Sequence, residues 1–156
     1  MSKINITYIK NNITAPIGFK SAGIAAGIKG LHALDLGLIY SQVPAIAAGV
    51  FTQNKICAAP LILTKKNLTK AKMMQAIIVN SGNANSCTGK MGALHAKQMS
   101  TEVAANLNIN TDLIGVSSTG IIGKIMLVVR ICLVLVVLSG IKKIFLKCGV
   151  LEFKGL

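Results

Sequence analysis

Short apolar runs with the spacing of β-strands alternate with turn signals through the first 124 residues. Apolar and polar positions alternate over residues 4–9 and 36–40, which predicts two half-buried strands. The continuously apolar run 76–80 predicts a strand that is covered on both faces. Further strands are predicted over three segments bounded by turn-forming residues, namely 45–52, 60–64 and 113–117.

One longer segment has the spacing of a helix. Apolar residues three to five positions apart form an imperfect stripe, which predicts a helix over residues 91–107. The loop 80–89 before it is rich in asparagine and glycine, and Asn108 and Asn110 follow its end. The following strand leads into the turn 118–120. The order strand, loop, helix, strand and turn is typical of an α/β fold.

The pattern changes after Lys124. Residues 125–138 read IMLVVRICLVLVVL, broken only by Arg130, and follow neither helical periodicity nor strand alternation. We therefore predict a boundary there. Residues 1–124 form the globular α/β part, and residues 125–156 form an aberrant hydrophobic tail.

Composition adds a strong basic excess to this picture. The 156 residues carry a net charge of +13, from sixteen lysines and Arg130 against four acids, yet 53% of them are hydrophobic. The lysines are scattered and lack interleaved aromatic residues, so a solvated lysine surface is favoured over nucleic-acid binding. The length and apolar fraction predict one domain with a real core and exclude a disordered chain.

The four cysteines give no framework for a disulfide scaffold or a metal site. They show no CxxC or Cys/His ligand spacing, and no acidic cluster accompanies them, so no metal is predicted. Residues 1–12 are polar and contain no long apolar run, which argues against a secretory signal. Free thiols without export predict a cytoplasmic protein.

Two loops carry candidate chemistry. Loop 80–89 is either a cradle of backbone N–H and amide groups beside a substrate or a structural turn held by its own asparagines. The turn 118–120 can aim a hydroxyl and a backbone N–H at one point, as an oxyanion hole requires, although Ser/Thr-rich turns are common. Cys87 is a weaker candidate nucleophile, because the spacing suggests no partner for it in His32 or His95.

Residues 14–124 resemble the N-terminal portion of the ornithine/glutamate N-acetyltransferases of arginine biosynthesis. No single motif is decisive, but their order and spacing together are specific. The matching stretches are TAPIGFK (14–20), AAGIK (25–29), DLGLI (35–39), PAIAAGVFTQN (44–54), AAP (58–60), AIIVNSGNANSCTG (76–89) and STGIIG (118–123).

The resemblance implies a layered α/β fold of the ornithine acetyltransferase type, incomplete in this chain. Such enzymes move an acetyl group from N-acetylornithine, and often from acetyl-CoA, to glutamate, with no other cofactor. They cleave themselves before a threonine that becomes the nucleophile, and they assemble as heterotetramers. By resemblance, Thr119 and Gly120 here form the oxyanion hole.

The sequence departs from the family pattern after Gly123. A Leu-Pro-containing continuation, the self-cleavage site and the nucleophile are not found, and Thr119 is the last threonine. We expect a truncated, inactive product of a frameshift near Lys124. One alternative is a small membrane protein that uses residues 125–141 as a span, against which Arg130 argues. Another is a noncatalytic partner of a second chain that supplies the nucleophile.

Overall fold

A computed structural model describes residues 13–30, 32–128 and 131 and the backbone of 150–152. Most of the secondary structure lies between residues 19 and 121. In chain order the elements are β1 (Phe19–Ile24), β2 (Leu36–Ile46), α1 (Ala59–Ala71), β3 (Met73–Asn83), α2 (Gly89–Leu107), a 3₁₀ turn (Thr111–Leu113), β4 (Ile114–Ile121) and β5 (Val150–Glu152).

The strands form one mixed sheet in the order β4-β3-β2-β1-β5. The pairs β1–β2 and β2–β3 are antiparallel, whereas β3–β4 and β1–β5 are parallel. Because parallel neighbours need a crossover connection, α2 links β3 to β4 and packs on the sheet. Its Met99 and Val103 are buried in one core with Ile78 and Ile114. The α/β fold class is confirmed.

Several sequence predictions coincide with these elements. The predicted strands 36–40 and 76–80 lie inside β2 and β3, and 113–117 overlaps β4. The predicted turn 118–120 is wrong, because β4 continues through these residues to Ile121, and β3 likewise continues to Asn83, inside the predicted loop 80–89. The predicted helix 91–107 lies inside α2, which Asn108 ends in a left-handed conformation with its N–H bonded to the Ala104 oxygen. The predicted strand 4–9 lies outside the described residues.

Two strand predictions are wrong. Residues 60–64 belong to helix α1, where Pro60 lies in the first turn and its lack of an N–H costs nothing. Of the predicted strand 45–52, only the first two residues belong to a strand, because β2 ends at Ile46 and residues 47–52 belong to no strand. Ile46 and Val50 are almost fully exposed, so the apolar character of this stretch reflects no burial in the described structure.

Helix α1 covers the outer edge of β4. The Thr64 hydroxyl donates to the Val116 oxygen (2.7 Å) and accepts from the Val116 N–H (2.8 Å). Asn67, also on α1, donates through Nδ2 to the Ile114 oxygen at 2.9 Å. These side chains replace a neighbouring strand, so the backbone of β4 is satisfied where an open edge would otherwise invite association.

No helix within the described ranges is long and apolar enough to cross a membrane. Most of the alternative span 125–141 falls outside the described residues.

Candidate functional site

The two loops that the sequence singles out meet at one edge of the sheet. Strands β3 and β4 are parallel, so their C-terminal ends lie side by side. The register pairs Ser81 with Thr119 and Gly82 with Gly120. Thr119 and Gly120 are both exposed. The candidate hydroxyl of Thr119 and the backbone groups of Gly120 therefore lie at the end of β4 next to the asparagine-rich segment, where a ligand can reach them.

Bare backbone forms the contact between the two strand ends. Gly120 has a φ of +130°, and a Cβ added to it would lie 2.3 Å from the Gly82 carbonyl carbon and 2.6 Å from the Asn83 nitrogen. Only glycine adopts this φ without strain and leaves room for the neighbouring chain. This close approach of the Gly120 and Gly82 backbones fixes the position of the end of β4.

Three hydrogen bonds join the segment after β3 to the segment at and after the end of β4. They run from the Ala84 N–H to the Ile121 oxygen (3.0 Å), from the Gly123 N–H to the Ser86 oxygen (2.8 Å), and from Asn83 Nδ2 to the Lys124 oxygen (2.9 Å). All three bonds follow Gly120, and the β3–β4 ladder holds the residues before it, so the backbone around Thr119 and Gly120 is pre-organised.

Buried asparagine side chains shape the loop itself. Asn80 Nδ2 donates to the Asn83 oxygen (2.8 Å), and Asn83 Oδ1 accepts from the Asn85 N–H (2.8 Å). Asn85 is fully buried, donates to the Gly92 oxygen and accepts from the Thr88 hydroxyl, both at 2.8 Å. Because these bonds join the segment to itself and to the start of α2, the structural-turn interpretation accounts for Asn83 and Asn85.

Asp35 stabilises the loop that packs against Gly82. Its buried carboxylate accepts three backbone N–H groups, from Ala26 (2.6 Å), Ile28 (2.6 Å) and Lys29 (2.9 Å). The loop so folded packs on Gly82, where an added Cβ would lie 2.8 Å from Lys29 Cγ. Sequence reasoning did not single out Asp35, although an acid directly before an apolar strand in a lysine-rich chain was a usable signal.

Two polar side-chain atoms near the ends of β3 and β4 make no hydrogen bond within the described structure. Asn80 Oδ1 and Ser118 Oγ are both buried, and the two residues are register partners on β3 and β4. Side chains of paired residues extend from the same face of a sheet. Buried acceptors and hydroxyls without partners are uncommon and costly, and they often mark functional positions.

The structure brings no histidine to Cys87. His95 is buried on α2 and His32 is exposed, and neither lines the cavity of about 390 Å³ beside Cys87. A second cavity, of about 60 Å³, lies against Gly82 and Asn83. The role of Thr119 and Gly120 as an oxyanion hole stays a prediction, as does the expected lack of a metal or cofactor.

Comparison with known proteins gives one consistent result. The family model described as the ArgJ family matches residues 20–142, which extends past the boundary predicted at Lys124. The arginine biosynthesis bifunctional protein ArgJ of Staphylococcus epidermidis is 54% identical over 118 residues, and that of Streptococcus mutans is 50% identical. Both alignments cover 76% of this chain but 30% of the relative. The chain thus spans about a third of the length of these relatives.

Solved structures agree with the sequence comparison. The arginine biosynthesis bifunctional protein from Bacillus halodurans superposes with a TM-score of 0.77 at 39% identity, over 80% of this chain and 65% of that one. The ornithine acetyltransferase from Mycobacterium tuberculosis, solved with ornithine, gives a TM-score of 0.76 at 38% identity, over 82% of this chain and 69% of that one.

Proposed function

The chain belongs to the ArgJ family, and we propose that it supplies the oxyanion-stabilising part of an acetyltransferase of arginine biosynthesis. The complete enzyme would move acetyl from N-acetylornithine, or from acetyl-CoA, to glutamate. The contact between Gly82 and Gly120 carries this proposal, because it fixes the small residues at the C-terminal end of β4 beside the end of β3.

Thr119 and Gly120 have the chemical groups that this role needs. A tetrahedral intermediate of acyl transfer develops a negative oxygen, which rigid hydroxyl and N–H donors stabilise. Thr119 carries the hydroxyl and is exposed at the end of β4. The β3–β4 ladder before Gly120 and the hydrogen bonds after it limit the movement of this segment, so little reorganisation would accompany the reaction.

The nucleophile would come from the part of the family's length that this chain does not span. No threonine follows Thr119 in the sequence, so a self-cleaving threonine must lie elsewhere. We propose that residues 1–156 alone transfer no acetyl group, and that the remaining segment and the heterotetramer complete the site. The frameshift near Lys124 and the cytoplasmic location stay predictions.

A chimera tests the activity directly. Residues 1–124 would replace the matching part of the Staphylococcus epidermidis relative, and acetyl transfer from N-acetylornithine to glutamate would be measured beside the intact relative and the unmodified 156-residue chain. We expect an active chimera and an inactive chain. A chimera that assembles like the relative but transfers no acetyl group would refute the proposed function.

Variants of the chimera test the assigned residues. Thr119→Val removes the hydroxyl while keeping the shape, and should lower kcat by about 100- to 1,000-fold with a smaller effect on KM. Thr119→Ser keeps the hydroxyl and should retain most of the activity. Ser117→Ala, two residues earlier at an exposed position, is the matched control. An unchanged kcat in Thr119→Val would show that the hydroxyl takes no part in the mechanism.

A further inference from the structure

Two free cysteines from distant parts of the sequence border one cavity. Cys57 and Cys87 both line the space of about 390 Å³ between the beginnings of α1 and α2. The segments that carry them are joined by a hydrogen bond from the Ala59 N–H to the Asn85 oxygen (3.4 Å). Each cysteine is two positions from one end of that bond, so the fold brings both cysteines to the wall of one cavity.

The two thiols differ in access. Cys87 is exposed, whereas Cys57 is partly buried and its Sγ contacts the Asn54 oxygen at 3.0 Å. A reagent from solvent therefore meets Cys87 first. Cys57 lines the same cavity, which makes it the candidate to attack a mixed disulfide formed at Cys87.

The cavity is electropositive. Lys66 and Lys97 line it, and no carboxylate is among the residues that do. Helices α1 and α2 begin at Ala59 and Gly89, which are also lining residues, and helix N-termini carry partial positive charge. An anionic reagent is attracted to such a place over a neutral one.

We propose that Cys57 and Cys87 form a dithiol site that exchanges with anionic low-molecular-weight disulfides such as glutathione disulfide. The deprotonated Cys87 sulfur attacks one sulfur of the reagent, forms a mixed disulfide and releases one thiolate. The deprotonated Cys57 sulfur then attacks Cys87 Sγ and releases the second thiolate. The protein loses two thiol protons and two electrons, and the reagent is reduced to two thiols. The product is an intramolecular disulfide that joins the starts of α1 and α2.

The full chain tests this, together with a Cys132→Ser/Cys148→Ser variant that keeps only the proposed pair. Both would be treated with glutathione disulfide, trapped in acid, and analysed by intact mass and peptide mapping. We expect a transient glutathione adduct on Cys87, followed by a Cys57–Cys87 disulfide and the loss of two hydrogens. In Cys57→Ser the adduct on Cys87 should persist.

Unfolding provides the decisive control. In concentrated urea the shorter loop between Cys132 and Cys148 is favoured, because loop closure is easier for nearer residues. Pairing of Cys57 with Cys87 in buffer but not in urea would support a site made by the fold. Glutathione adducts that persist on both cysteines in buffer, or the same mixture of pairs in both conditions, would overturn the proposal.

Charge variants test the second half of the inference. Lys66→Ala combined with Lys97→Ala should slow the first exchange with glutathione disulfide about two- to five-fold and leave the exchange with neutral hydroxyethyl disulfide unchanged. Lys65→Ala removes an adjacent exposed lysine that does not line the cavity and is the matched control. Equal slowing with both reagents would exclude electrostatic recruitment.

Discussion

Gly82 and Gly120 pack backbone against backbone, with a register that pairs them across the parallel strands β3 and β4. Both have positive φ, +98° and +130°, and neither has room for a side chain. A side chain on Gly120 would separate the strand ends, whereas a side chain on Gly82 would instead meet Ile28 and Lys29. The site depends on this pair before any catalytic group is considered.

Gly120→Ala tests the contact. The added Cβ would lie 2.3 Å from the Gly82 carbonyl carbon, so the backbone must move. We expect the free energy of unfolding to fall by about 2 to 4 kcal/mol from backbone strain and overpacking together. Urea denaturation followed by circular dichroism measures this, because the chain has no tryptophan to report by fluorescence.

Gly30→Ala is the matched control for that substitution. Gly30 has nearly the same φ, +134°, but an added Cβ would meet nothing within 4 Å. Its loss should be about 1 kcal/mol, from backbone strain alone. Equal losses in the two variants would show that the contact with Gly82 contributes nothing.

Thr64→Val tests the side-chain cover on β4. Valine has the shape of threonine but cannot bond the Val116 N–H and oxygen, which lie 2.8 and 2.7 Å from the hydroxyl. Leaving both groups unpaired should lower the free energy of unfolding by about 2 to 3 kcal/mol. It should also expose the strand edge and promote association, which light scattering measures.

Thr64→Ser keeps the hydroxyl and loses only a methyl group. We expect it to cost about 1 kcal/mol and to leave the chain no more prone to association than before. If the serine variant associates as readily as the valine variant, the hydroxyl is not what protects β4.

Asp35→Asn tests the loop under Gly82. One carboxylate oxygen becomes an NH₂ group, which must face a backbone N–H that the oxygen had accepted. Asparagine therefore cannot replace aspartate despite its equal size, and we expect a loss of about 3 kcal/mol. Asp112→Asn removes the exposed ion pair with Lys70 instead and should cost less than about 1 kcal/mol. Similar losses in both would contradict the assigned role of Asp35.

The sequence predicts those elements whose pattern is dictated by burial. The run 76–80 predicts the strand, but not its cover on both faces, because Ile78 is buried in the core whereas Ile77 is exposed. Helix α2 repeats its apolar positions because one face packs on the sheet. Residues 118–120 are a weak signal by themselves, because Ser/Thr-rich turns are common, and the resemblance to the acetyltransferases supplies their predicted role. These signals are local, so a single sequence contains them.

Tertiary contacts decide the parts that the sequence does not predict. Residues 60–64 have the composition of a strand, but Thr64 and Asn67 bond β4 only if the segment is helical. The structural role of Asp35 likewise depends on three backbone N–H groups that lie six to nine positions away in the sequence. No periodicity in the segment itself reports such partners.

Gly92→Ala tests how α2 begins. In an ordinary helix this substitution stabilises by about 1 kcal/mol, because alanine is the better helix former. Here an added Cβ would lie 1.9 Å from the Thr88 hydroxyl and 2.7 Å from Asn85 Oδ1. The substitution must break the bond by which Thr88 donates to Asn85. We therefore expect the opposite sign, a loss of about 1 to 3 kcal/mol in the free energy of unfolding measured by urea denaturation.

A Thr88→Ala background is the control. The nearest clash is gone there, and the loss in the free energy of unfolding caused by Gly92→Ala should shrink by about 1 kcal/mol. A stabilised Gly92→Ala variant, or a loss that does not depend on Thr88, would mean that this contact does not restrict position 92.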